Sequence, residues 1–155
     1  MVDLKTYYAS AATIYSFWLA NGFTPAQAAG LLAQADAESS LNPNAIGDHD
    51  TAFGLNQWHG SRAVAIKKGC GVDLCAKPTP PLADQLKAAL WELQHTEKAA
   101  LARILAAHTA ADAGAAACRY WERPGSSAQW AKRGVKAEEW AIYFTHHPVG
   151  PAAKS

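Results

Sequence analysis

Apolar positions along this chain recur mostly with the 3.6-residue period of amphipathic helices, and strand-forming β-branched runs are scarce. Leu4, Tyr7, Tyr8, Ala11, Ile14, Tyr15 and Trp18 fall on one helical face behind Asp3, a natural N-cap. They predict a helix over 3–21, with Gly22 as its C-cap. The stretch is apolar enough to suggest an export leader, but Thr13 and Ser16 interrupt it, so it reads as the first helix of the fold. A second helix is predicted over 25–38. Thr24 is its N-cap, Pro25 fits its first position, and Gln27 completes a capping box. Residues 26–37 are almost all Ala, Leu or Gly, a composition apolar nearly all round that predicts burial. Asn42-Pro43 stops this run, because a residue before proline is pushed out of the α region.

A loop with short extended pieces is expected over 39–58, then a helix over 61–69 and a Gly/Cys/Pro-rich connector over 70–79. Pro80-Pro81 opens a helix reaching about residue 95, with Leu82, Leu86, Leu90 and Leu93 as its stripe. Shorter helices follow near 97–107 and 110–122, the latter stopped by Pro124. The last runs over about 127–145 with Gly134 a candidate break, and the tail 147–155 reads as loose. No repeat or linker divides the chain, so one domain over 1–146 is expected.

The chemistry concentrates where the second helix ends. Glu38 sits in its last turn, and acidic side chains return about ten residues later at Asp48 and Asp50, before Phe53-Gly54-Leu55-Asn56-Gln57-Trp58. Apolar surroundings and the negative end of the helix dipole both disfavour an ionised Glu38, as a general acid working near neutrality requires. A sheltered acid, a second polar group or carboxylate and a backbone edge able to hold sugar are what glycosidic cleavage needs. The plainer alternative is a solvated Glu at a helix end.

The ordered run Glu38-Ser39-Ser40-Leu41-Asn42-Pro43-Asn44-Ala45, then Gly47-Asp48, then Ala52-Phe53-Gly54-Leu55-Asn56-Gln57, resembles the active-site stretch of goose-type lysozymes and soluble lytic transglycosylases. Continued through Trp58-His59 and Arg62, it is most similar to the phage-tail lysozyme-like group, and small muramidases serving secretion systems are also similar. A weaker echo lies at Tyr120-Trp121-Glu122-Arg123-Pro124-Gly125. The resemblance implies a lysozyme-like fold, all-α or α-rich α+β with a short extended segment at the active-site loop. It implies Glu38 as the catalytic acid, Ser39 as a residue fixing the loop, and Gly54, Leu55 and Gln57 as the lining of the sugar cleft. It also implies Asp48 as a group positioning the attacking water. Retention of Asp48 points to hydrolysis rather than 1,6-anhydro ring closure. A second acid that some goose-type enzymes carry just after the Gln is absent, with Trp58-His59 in its place. The water-activating group therefore stays open between Asp48, Asp50 and a water held by polar neighbours.

Other side chains have both a site reading and a packing reading. Phe53 joins the cleft segment. Trp58 and Trp121 are sugar platforms or core, Tyr120 a hydroxyl near the sugar or core, and Glu122 a cleft residue or the ion-pair partner of Arg123. Cys70 and Cys75 either close a small disulfide ring or are free thiols, and Cys118 reads as a small core residue.

Composition narrows the rest. The chain has 155 residues, 35 of them Ala, which favours an all-α domain with a sizeable core. A formal net charge of +1 argues against a nucleic-acid partner, and no apolar run is long enough for membrane insertion. The His and Cys spacings suggest no metal site, and neither metal nor cofactor is expected. The expectation is a monomer acting on the glycan strands of peptidoglycan in the periplasm or cell wall, brought there with secretion-apparatus or phage-tail proteins. A lytic transglycosylase, a chitin-cleaving enzyme and a non-catalytic glycan-binding subunit are the alternatives.

Overall fold

The structure, a computed structural model, describes residues 3–123 and 126–153. Helices α1 (Leu4–Ala20) and α2 (Pro25–Ser39) come first, followed by three two-residue strands, β1 (Ile46–Gly47), β2 (Ala52–Phe53) and β3 (Trp58–His59). Then come α3 (Gly60–Cys70), α4 (Leu82–His95), α5 (Lys98–Leu105), α6 (Ala110–Ala116), a π-helical turn (Ala117–Glu122) and α7 (Ser127–His146). The strands form an antiparallel sheet in sequence order. The α-rich fold with a short extended segment at the loop is the one expected.

Helix α2 is the axis of the domain, and Gln27 through Asp36 are all buried. Its start is the expected capping box, with Thr24 accepting from the Gln27 N–H and Gln27 accepting from the Thr24 N–H. The α1, α6 and α7 helices pack around it. At Gly30 a β-carbon would lie 2.6 Å from Ala113 Cβ and 2.7 Å from the Gly114 nitrogen, so small residues let α2 and α6 touch backbone to backbone. Gly134 serves a similar end: a β-carbon there would sit 3.0 Å from the Ala111 carbonyl oxygen. It is a seat for α6 within an unbroken α7.

Some expectations need correction. Helix α1 has Asp3 as its N-cap, but its C-cap is Asn21, with Gly22 following at φ +89°. In α4, Leu86 and Leu93 are buried while Leu82 and Leu90 are half-buried, and the buried face also carries Gln85 and Glu92. The helix expected over 110–122 changes winding at Ala117, where the turn widens to π geometry. Its expected stop at Pro124 lies outside the described residues. Cys70 and Cys75 are free thiols. Their connector is shaped instead by Asp73, which accepts from the Cys75 N–H at 3.1 Å and pairs with Lys67 at 3.2 Å. Residues 149–152, expected to belong to a loose tail, are laid against the domain: Val149 packs on the core, and the Ala152 N–H donates to the Ser16 carbonyl of α1 at 3.0 Å.

Candidate active site

Directly after Glu38 the chain reverses through two left-handed residues, Ser40 (φ 54°) and Leu41 (φ 61°). A left-handed leucine costs about 1–2 kcal/mol. Full burial of the Leu41 side chain offsets this with about 1.5–3 kcal/mol. Ser39 Oγ donates to the Ala35 carbonyl and accepts from the Asn42 N–H at 3.2 Å, so it fixes the exit of α2 without lining the cleft.

Gln85, fully buried on α4, then clamps the loop. Its amide nitrogen donates to the Pro43 and Pro80 carbonyls at 2.7 and 2.8 Å, and its Oε1 accepts from the Leu55 N–H at 2.7 Å. Gly54 (φ +75°) is obligatory here, because a β-carbon would stand 2.5 Å from that Oε1. Gln57 ties the loop to itself by donating to the Ala45 and Gly54 carbonyls.

These braces shape a cleft of about 210 Å³ in which Glu38, Gln57, Glu122 and Trp121 meet Gln34, Asn56, His59 and Arg62. Glu38 is held neutral, with its carboxyl pushed up to about 8. Burial is the largest cause, followed by a hydrogen bond to Glu122 and that residue's charge, while Arg133 and Arg62 pull the other way. The second influence is thus a carboxylate from the π turn, where sequence reasoning had the helix dipole. Burial would raise Glu122 too, but its hydrogen bond with Glu38, the charge and hydrogen bond of Arg133, and Gln34 together push it below its ordinary value. Arg133 Nη1 donates to Glu122 Oε2 at 2.9 Å and to Gln34 Oε1. The proton of the pair therefore rests on Glu38.

A second buried carboxylate holds the floor. Glu92, 1% exposed, accepts from Trp58 Nε1 at 3.1 Å, Trp121 Nε1 at 2.7 Å, Arg62 Nε at 2.7 Å and Arg62 Nη2 at 2.6 Å. Four N–H donors hold this carboxyl group in place and lock Arg62 beside Glu38.

The remaining predicted residues fall elsewhere. Trp58 is fully buried on the Glu92 network and presents no ring face to a sugar, which corrects its reading as a platform. Leu55 is core, and Phe53 packs half-buried against it. Tyr120 lies outside the cleft among Arg103 and Arg119, 4.8 and 5.0 Å from its ring centroid. Glu122 pairs with Arg133 and not with Arg123. The π turn directs Glu122 inward, and Arg123, left-handed at φ 61°, pairs with Glu97 at 2.7 Å. Asp48 and Asp50 are exposed at the β1–β2 turn and do not line the cleft. Asp48 Oδ2 lies 3.6 Å from His59 Nε2.

Sequence reasoning missed Gln34, Asn56, Glu92 and Arg133. Polar residues in otherwise apolar helices, Gln34 in α2 and Glu92 in α4, were the available signal. Cys118 is buried beside the pair, and burial first of all pushes its thiol to about 11, so it is no nucleophile at neutral pH. A larger groove of about 1380 Å³ between α1, α4 and the C-terminal segment contains no carboxylate pair and stands apart from this chemistry.

Residues 9–144 match the family described as phage tail lysozyme. No curated protein matches the chain significantly.

Proposed function

This chain belongs to the phage tail lysozyme family, and from that premise we propose that it is a muramidase. It would cleave the β-1,4 bond between N-acetylmuramic acid and N-acetylglucosamine, with Glu38 as general acid. The observation that carries the reading is the neutral Glu38 carboxyl, raised to about 8 in a cleft between α2, the sheet, α3 and the π turn. An acid of this value is protonated at neutral pH and still able to give its proton up. Glu38 donates to the glycosidic oxygen as positive charge grows on the sugar carbon. The carboxylate left behind is stabilised by Arg62 and Arg133, both within electrostatic reach. Glu122 sets the proton's resting place. It shares a hydrogen bond with Glu38, whereas the two carboxyl groups of a retaining or inverting pair stand roughly 5 Å or more apart across the sugar, so it is not the group that attacks or activates water there. Asp48 is the carboxylate proposed to help position water, giving inversion.

The substrate proposed is peptidoglycan, met at the cell wall or periplasm by a monomer that a phage tail or secretion apparatus brings there. The family match supports the lysozyme-like hydrolase and its phage-tail setting.

A lytic transglycosylase is the second reading, favoured by the exposure of Asp48 and Asp50 outside the cleft. Digestion of purified sacculi by wild type and Glu38→Gln, with fragments identified by mass spectrometry, decides between them. Reducing-end muropeptides from wild type alone are expected. Anhydro-muropeptides would establish the second reading, and equal release by Glu38→Gln would remove Glu38 from the mechanism.

A further inference from the structure

We propose that His59 is the base that accepts the proton of the attacking water, and that Asp48 acts through it. This rests on the glycan-hydrolysis reading above. Hydrolysis needs, besides the acid, a proton acceptor free to receive. Among the described residues lining the cleft, the amides, the indole and the guanidinium accept no proton near neutrality. Glu122 already accepts from Arg133 and Gln34 and holds the hydrogen bond of Glu38. Glu92, behind the floor, is filled by four N–H donors. Asn56 Oδ1 is without a partner but is an amide oxygen and not a base, so His59 is the lining group left with a basic nitrogen to offer.

Asp48 stands behind it, its Oδ2 3.6 Å from His59 Nε2. A carboxylate on that side favours the tautomer with the proton on Nε2 and leaves Nδ1 as the acceptor. The sheet makes this meeting. Ala52 pairs with His59 and Gly47 with Ala52, so the 48–51 turn lies over the end of β3. Asp48, His49 and Asp50 are all left-handed (φ 52°, 56° and 65°), a conformation Asp and His tolerate better than most residues. Thr51 closes the turn through its N–H to the Gly47 carbonyl and its hydroxyl to the Asp48 carbonyl.

In the step itself, the water oxygen bonds to the sugar C1 from the face opposite the leaving group, and the C1–O bond breaks. The Glu38 proton goes to the leaving oxygen and one water proton goes to His59 Nδ1. The products are an imidazolium beside the Asp48 carboxylate, an ionised Glu38 and a reducing sugar of inverted configuration. Solvent returns one proton to Glu38 and takes one from His59.

The test compares wild type, His59→Gln, Asp48→Asn and the double variant on sacculi and on a soluble peptidoglycan oligosaccharide. His59 and Asp48 are both exposed, so folding is not at stake. Expected is a fall in kcat of about 100-fold or more for His59→Gln with KM little changed. Azide should restore turnover to that variant and yield a glycosyl azide. Asp48→Asn should cost less, and adding it to His59→Gln should cost nothing more. Wild-type hydrolysis with an unimpaired His59→Gln would overturn the proposal and leave the glycan reading standing. Anhydro products from wild type would also overturn it, because the sugar's own hydroxyl then attacks. No cleavage by wild type would overturn both readings.

Discussion

Replacing Glu122 by Gln asks whether the Glu38 proton is kept in place by its neighbour. Glutamine keeps an acceptor oxygen and removes the negative charge. Of the influences raising Glu38 to about 8, burial remains, while the hydrogen bond to a carboxylate and its charge are lost. Arg133, freed from Glu122, then pulls the acid further down. A like charge in hydrogen-bond contact is worth about 1–2 pH units here, or roughly 1.4–2.7 kcal/mol. At pH 8 wild-type Glu38 is about half protonated. In the variant the protonated fraction at that pH should be roughly 5–50-fold smaller, with little change near pH 5. The assay is kcat/KM for fragment release across pH, which reports the free enzyme's acid, with circular dichroism confirming the fold. An alkaline limb that stays where wild type has it would refute the assignment of Glu122 as the residue that holds the proton on Glu38.

Glu38→Gln should lose activity by about 100–10,000-fold, measured as muropeptide release. The same variant should be the more stable protein at alkaline pH. Folded Glu38 keeps its proton from the unfolded value of 4.5 up to about 8, so wild-type stability falls as pH rises across that window. Since water in the cleft screens the carboxyl, the gain should reach about 1–2 kcal/mol at pH 8 and vanish near pH 4.5, read by urea unfolding at both. Arg133→Met strands Glu122 and Gln34 beside the acid and should destabilise by about 3–5 kcal/mol in the same measurement. Gly30→Ala drives a methyl into Ala113 and Gly114 and should cost about 1–3 kcal/mol, seen as a lower Tm with an unchanged pH profile.

Local rules reached a long way into this protein. The Thr24-Pro25-Gln27 start of α2, its apolar composition and the Asn42-Pro43 stop placed Glu38 in the last turn of a buried helix, and the structure keeps it there. Each of these is a short-range effect of backbone geometry and side-chain type, so it is written in consecutive residues. The ordered block from Glu38 to Gln57 also carried the family, since such a loop needs particular residues at particular positions, as Gly54 beside Gln85 illustrates.

The acid's partner is another matter. Glu122 lies 84 positions beyond Glu38 in the chain, and Arg133 11 beyond Glu122. No periodicity within one helix says that α6 will widen to a π turn and direct Glu122 inward, or that Arg123 will swing out to Glu97. Glu92 stands in the sequence beside the leucine stripe of α4, yet it is buried because Trp58, Trp121 and Arg62 arrive from three other elements. Trp58 was drawn into the core by that same carboxylate. The sequence by itself determined the helices, the position of the acid and the family. Tertiary structure alone decided where the acid's proton rests, because burial and charge at a site come from side chains that only folding brings together.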